Sequence, residues 1–335
     1  MALFSKKLGL ELILQRLNNG LKRQQQSLTG VANIERAVDE LAVELQNVDK
    51  GTQILLALKF RELASQGLVL PFEDVEFRNY SQCGEDGILH YIFSLIGTTN
   101  KQCVELCAGS GLECVSANLI LNHGWFALLV DGDEKNVRKG LEFFSTHADG
   151  KVMGPRFLKR WISDNSVNAI LKEASFSGEI DLLTIDMDGL DYWVWDAITE
   201  INPRVVVVEF MPWLGREPIT TARDENFTTE WIPLFENGNQ TDKTTEEELP
   251  DDLSFFSRWT LHGGASLAAY NKLAKRKGYC LVGANGQGFN AFFIRNDIAQ
   301  ELFPEVSEST CFNENYNEYF KLAWQKLKDH KFETV

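Results

Sequence analysis

The sequence predicts an α/β fold, a mostly parallel sheet finished by an antiparallel C-terminal hairpin and preceded by a helical appendage. Three observations lead there. Cys103–Leu106, Phe126–Val130, Leu182–Ile185 and Val205–Val208 are short runs of Val, Leu and Ile. Such runs belong to strands buried on both faces, as in a parallel sheet. Between the first two lies a helix-like stretch, Cys114–Leu121, closed by Asn122-His123-Gly124, which makes β-α-β punctuation. Finally, a helix over 265–277, stopped by Gly278, precedes Tyr279–Val282 and Asn290–Arg295. The link between those last two runs, 283–288, is short and rich in Gly and Asn, so they pair as an antiparallel hairpin.

The N-terminal part reads differently. Residues 1–30 hold five bases and one acid, and Leu3, Leu10, Leu14, Leu17 and Leu21 can share one helical face. Ile34, Val38, Leu41, Leu45 and Val48 continue as a short heptad seam. We expect a helical appendage over 1–75, a core domain over 76–300 with an insert at 211–262, and a helical tail over 301–335. The appendage offers a homo-oligomer contact or, through its basic face, a peripheral contact with an anionic membrane surface. Residues 236–252 carry seven acids and one base and read as a solvated loop.

Composition narrows the function classes. The chain of 335 residues is 44% hydrophobic and 24% charged, ordinary values for a folded protein, with a net charge of −15. That balance argues against non-specific nucleic-acid binding, which needs a basic footprint. Six cysteines, with no C-x-x-C pair, read as reduced thiols of a cytoplasmic protein rather than a zinc ribbon or disulfide framework. No apolar run approaches the ~20 residues of a membrane span. The run Leu8–Leu14 is interrupted by Glu11 and lacks a small-residue cleavage site, so no secretory signal is expected.

The first strand ends in Glu105-Leu106-Cys107-Ala108-Gly109-Ser110-Gly111, an acid followed by a small-residue turn. Such a turn brings backbone N–H groups close to a nucleotide-like ligand. As a dinucleotide fingerprint it is poor, because Cys114 takes the third glycine position and Glu105 and Glu113 would face a pyrophosphate. Acids at the turn suit a cofactor without phosphates and with cationic groups, as S-adenosylmethionine is. Asp131 ends the second strand at the spacing where a carboxylate grips a ribose diol, with Asp133 as the fallback. Asp164, in a turn that resembles an Asp/Asn-capped helix start, is a candidate adenine partner.

The fourth strand runs into Asp186-Met187-Asp188-Gly189-Leu190-Asp191 at the sheet rim, where α/β proteins bind ligands. Carboxylates this close repel unless a cation or proton is shared. Asp186 and Asp188 are candidates for a general base, for bonding the cofactor's ammonium, or for holding a divalent cation such as Mg²⁺. Glu209, ending the next strand, faces the same rim. His262, before Gly263-Gly264, is a further candidate base.

Glu105–Gly111, Asp131-Gly132-Asp133-Glu134-Lys135-Asn136, Asp186-Met187-Asp188-Gly189 and the upstream Ser81–Gly87 together resemble FkbM-type, class I S-adenosylmethionine-dependent methyltransferases. The resemblance covers roughly 80–297. It implies a Rossmann-like sheet of seven strands with an antiparallel last strand. It implies Glu105, Gly109 and Gly111 near the methionine part of the cofactor, Asp131 on the ribose, and Asp186 and Asp188 beside the reaction; Gln82, in the upstream motif, goes to the cofactor side. Two positions depart: Cys107 replaces the first glycine of the usual turn, and Asp188 stands where a glutamate is more usual. The expected activity is O-methylation of a hydroxyl on a sugar, glycan or small metabolite. An inactive methyltransferase-like assembly protein and an NAD-dependent oxidoreductase are the alternatives, the latter disfavoured by Cys114 and the acids at the turn.

Overall fold

Seven strands form one sheet: β1 (Gln102–Leu106), β2 (Phe126–Asp131), β3 (Arg156–Lys159), β4 (Gly178–Ile185), β5 (Ile201–Glu209), β9 (Tyr279–Ala284) and β10 (Asn290–Arg295). Their order is β3-β2-β1-β4-β5-β10-β9 in the computed structural model, which describes residues 48–146, 154–224, 226–234 and 259–335. Strands β1 to β5 pair in parallel, whereas β10 lies antiparallel to both β5 and β9. The expected class, the seven strands and the reversed hairpin are therefore all present. The order changes direction between β1 and β4, so their carboxyl ends open a crevice at the switch point.

Strand residues alternate between two cores. Val104, Leu106, Leu128, Val130, Leu183, Ile185, Val206 and Val208 pack on one face with α5 (Val167–Glu173), α6 (Asp191–Ala197) and α7 (Leu267–Lys277). Cys103, Ala127, Leu129, Leu182, Val205 and Val207 pack on the other with α1 (Lys50–Ser65), α2 (Glu85–Ile96), α3 (Ala117–His123) and α4 (Glu134–Thr146). A period of two with both faces apolar is the arrangement that continuous Val/Leu/Ile runs require. The predicted helix stops also hold: Gly124 and Gly278 both sit in the left-handed region, at φ 67° and 85°. Asn285 orders the hairpin turn, its Oδ1 accepting from the backbone of Gly288, Phe289 and Asn290.

The apolar series at Leu3–Leu21 and Ile34–Leu45, and the acidic residues of 236–252, lie outside the described residues. Helix α1 is described, and Phe60 from it meets Tyr91 edge-on with ring centroids 4.9 Å apart. Gln53 and Asn118 exchange side-chain hydrogen bonds at 3.2 and 3.0 Å. Helix α1 thus packs on α2 and α3 through Phe60 and Gln53, while Ile54, Leu55 and Leu58 stay exposed. Among the described residues, no helix is long and apolar enough to cross a membrane.

The tail is not only helical. Helix α8 (Asn317–Leu327) is followed by β11 (Phe332–Thr334), which pairs antiparallel with β6 (Ile219–Thr221) of the insert. Tyr319, Phe320, Ala323 and Leu327 share a core with Met211, Trp213, Leu214 and Leu261. A second hairpin, β7 (Glu230–Pro233) with β8 (Trp259–His262), lies in the same insert. Insert and tail therefore form one packed unit beside the sheet.

Candidate functional site at the carboxyl edge of the sheet

The turn after β1 is built around three residues with left-handed backbone: Cys107 at φ 62°, Gly109 at 55° and Gly111 at 77°. Cys107 keeps the conformation that glycine favours despite carrying a side chain, which stores local strain. A Cβ added at Gly109 would meet nothing within 4 Å, so this side of the turn is open. One added at Gly111 would meet the Phe144 ring at 2.8 Å.

Glu105 does not extend into that opening. It is buried, and Oε1 accepts from Val115 N at 2.9 Å. Oε2 accepts from Ser116 N and Cys114 Sγ, each at 2.9 Å, and from Ser116 Oγ. The carboxylate expected near the methionine part of a cofactor thus holds the segment that starts α3. Asp131 also bonds backbone: Oδ2 accepts from Gly109 N at 3.0 Å, and Oδ1 from Asp133 N at 2.8 Å and Asn136 Nδ2 at 3.3 Å. It ends β2 beside the open turn, where its oxygens retain lone pairs for further donors.

Asp164 forms an ion pair with Arg223 rather than capping a helix. Ser166 precedes α5 and makes no side-chain cap bond, so the expected Asp/Asn cap is not formed. A residue not singled out from the sequence lies nearby: Trp161 is 83% exposed, and its ring rests against Gly132, where a Cβ would approach it to 2.8 Å. Gln82 is exposed, while its neighbours hold the motif together. Asp86 Oδ2 accepts from the backbone of Asn79, Tyr80 and Ser81, and Glu85 Oε1 accepts from Asn285 and Asn290 of the hairpin turn.

At the ends of β4 and β5, oxygens of Asp186, Asp188 and Glu209 lie within 4.8 Å of one another. Carboxylates this close repel unless a proton or cation is shared among them. Desolvation, then the charges of Asp188 and Asp191, push Asp186 up to about 7. Desolvation followed by the Asp186 charge pushes Glu209 well above its usual range, and desolvation raises Asp188. Among the described residues no donor reaches Glu209 Oε2. Asp191 instead accepts from Met187 N at 2.7 Å and Gly189 N at 2.9 Å, fixing the loop on which Asp188 takes φ 54°. Leu106 pairs with Ile185 and its carbonyl accepts from Asp186 N at 3.4 Å, which sets the trio beside the turn, and burial, then the charge of Asp191, raises the Cys107 thiol.

His262 stands with Glu230 and His330, not with the trio. Neither partner was singled out from the sequence, because pairings that bring 230, 262 and 330 together leave no local pattern. The next residue, Gly263, packs on the Asp188 carbonyl, where a Cβ would fall at 2.3 Å.

These features bear on which groups fit. A pyrophosphate finds no cation on the turn, since no Lys or Arg occurs between Gln102 and Glu134. A phosphate-free nucleoside with a cationic end matches the open Gly109 face, the Asp131 carboxylate and the acids beyond. An all-oxygen trio with an orphaned buried oxygen matches a hard divalent cation.

No protein-family model matches the chain, and no curated protein matches it. Solved structures do. An S-adenosylmethionine-dependent methyltransferase from Clostridium acetobutylicum ATCC 824 is 9% identical with a TM-score of 0.36, over 63% of this chain and 90% of that one. The glycopeptide N-methyltransferase MtfA complexed with S-adenosylmethionine is 9% identical with a TM-score of 0.38, over 64% and 93%. Its complex with sinefungin gives 9%, 0.39, 63% and 94%.

Proposed function

We propose that the chain is an S-adenosylmethionine-dependent methyltransferase that acts on a hydroxyl oxygen of a sugar or small metabolite. The observation that carries this reading is the Asp186–Asp188–Glu209 trio at the ends of β4 and β5, with β1, the neighbour of β4, running into the open Cys107–Gly111 turn at the switch point of the sheet. S-Adenosylmethionine, when bound, supplies an electrophilic methyl group on a sulfonium. The chain's part is to hold donor and acceptor in line and to take up a proton. Gly109 leaves room beside the turn, Asp131 offers lone pairs to a ribose diol, and Trp161 presents a free face to an adenine ring. Asp186, pushed up to about 7, takes the hydroxyl proton near neutral pH. The same three carboxylates would hold Mg²⁺, which supplies Lewis acidity that lowers the pKa of the hydroxyl.

Titration calorimetry with S-adenosylhomocysteine tests cofactor binding. The expected result is one saturable site; no heat from a folded sample would remove the reading. Transfer of labelled methyl to hydroxylated acceptors tests the reaction, and binding without transfer to any of them would leave a cofactor-binding protein. Turnover unchanged in chelator would take Mg²⁺ out of the scheme.

A further inference from the structure

We propose that Glu230, His262 and His330 form a transition-metal site, with Zn²⁺ as its ion, that clips the C-terminal segment to the insert. The proposal does not depend on the methyl-transfer reading. In the β7–β8 hairpin, Glu230 pairs directly with His262, which puts both side chains on one face. The antiparallel pairing of β11 with β6 brings in the chain just before Phe332, and His330 meets His262 edge-on at 4.6 Å between ring centroids. One ligand atom from each of the three residues lies within 4.8 Å of the other two.

His262 is set up as a ligand. Its Nε2 is buried with no hydrogen-bond partner among the described residues. A buried imidazole nitrogen with its lone pair unused is available to ligate a metal ion. An orphaned buried nitrogen is otherwise costly.

The surroundings agree. The three residues border a cavity of about 320 Å³ that is also lined by Asp224, Thr228 and Asp329, leaving access and room for a water ligand. Two imidazoles and a carboxylate suit Zn²⁺ and its borderline-soft neighbours, whereas the all-oxygen Asp186–Asp188–Glu209 trio suits Mg²⁺. Tetrahedral bonds of roughly 2.0–2.1 Å put donors about 3.3 Å apart. The exposed Glu230 side chain and the His330 ring therefore rotate inward on binding. Thr229 Oγ1 donates to the Asp188 carbonyl at 2.7 Å, so an ion here also stiffens the loop of the acidic trio.

The test uses the full chain, stripped with chelator and desalted, then titrated with ZnCl₂ by calorimetry and thermal melting. Co²⁺ substitution supplies a visible absorption band as a coordination readout. We expect one Zn²⁺ per chain, a higher Tm, and at least tenfold weaker binding in E230Q and H330A. The double variant D186N/D188N should bind Zn²⁺ like the parent. E230Q and H330A alter groups near the surface, so they carry the test even if H262A does not fold. Absence of stoichiometric binding, unchanged affinity in E230Q and H330A, or loss of binding in D186N/D188N would each overturn the proposal.

Discussion

Asp131 Oδ2 accepts the backbone N–H of Gly109 at 3.0 Å, so the carboxylate that ends β2 also fixes the turn that ends β1. If the same group grips a ribose diol, altering it both loosens the turn and removes the diol's acceptor. Asp131→Asn should weaken S-adenosylhomocysteine binding at least tenfold, about 1.4 kcal/mol or more. Asp133→Asn, which keeps the backbone N–H that Asp131 accepts, should change binding little. Calorimetry on both variants decides the matter, and equal affinities would separate Asp131 from the ligand.

The two glycines of the turn should fail differently. Both have left-handed backbone, so alanine at either costs about 1 kcal/mol from conformation alone. At Gly111 the new methyl also meets Phe144 at 2.8 Å, in a packed core, and overpacking adds roughly 1–3 kcal/mol. At Gly109 the methyl enters open space on the face offered to a ligand. Gly111→Ala should therefore lower the denaturation midpoint more, while Gly109→Ala should lower cofactor affinity more. Urea titration beside calorimetry reads both effects.

These contrasts show which parts of the molecule were legible in the chain. Runs such as Val205–Val208, apolar at every position, have one physical solution, a strand covered on both sides, and the structure adopts it. Gly124, Gly278 and the Asn/Gly-rich 283–288 link were readable because they meet local backbone demands. Asp186, Asp188 and Glu209 were findable because strand ends in a parallel sheet converge on one rim. The bonds of Glu105 were not, since a strand-end acid looks the same whether it faces a ligand or the backbone of 115 and 116. Trp161 against Gly132 and the Glu230–His262–His330 group depend on tertiary pairings between distant segments, for which one sequence carries no period or spacing.

Glu105 gives the next prediction. Glu105→Ala removes the acceptor of two backbone N–H groups, a hydroxyl and a thiol, all on buried residues. Leaving such donors unsatisfied costs about 1–3 kcal/mol each, so a loss of about 3 kcal/mol or more is expected by chemical denaturation. Glu105→Gln keeps one carbonyl oxygen for Val115 N or Ser116 N and should lose less. If alanine and glutamine variants were equally stable, the carboxylate would not be what orders the start of α3.

Asp86 makes stability depend on pH in a direction opposite to that of a salt-bridged acid. It is 1% exposed, Oδ2 accepts three backbone N–H groups, and Oδ1 has no hydrogen-bond partner among the described residues. Burial outweighs those bonds and pushes its carboxyl from 3.8 up to about 6. Between these two values the folded chain binds more protons than the unfolded one, so stability falls as pH rises. The contribution is fully present below the unfolded value and lost as pH rises through about 6. A shift of this size corresponds to on the order of 3 kcal/mol across the window. Asp86→Asn has the same shape and no charge to bury, so its stability should decline less between pH 4 and pH 7 than that of the parent. Urea denaturation of both proteins in chelator, at half-unit steps of pH, measures the difference, and parallel curves would show that folding leaves the Asp86 pKa unshifted.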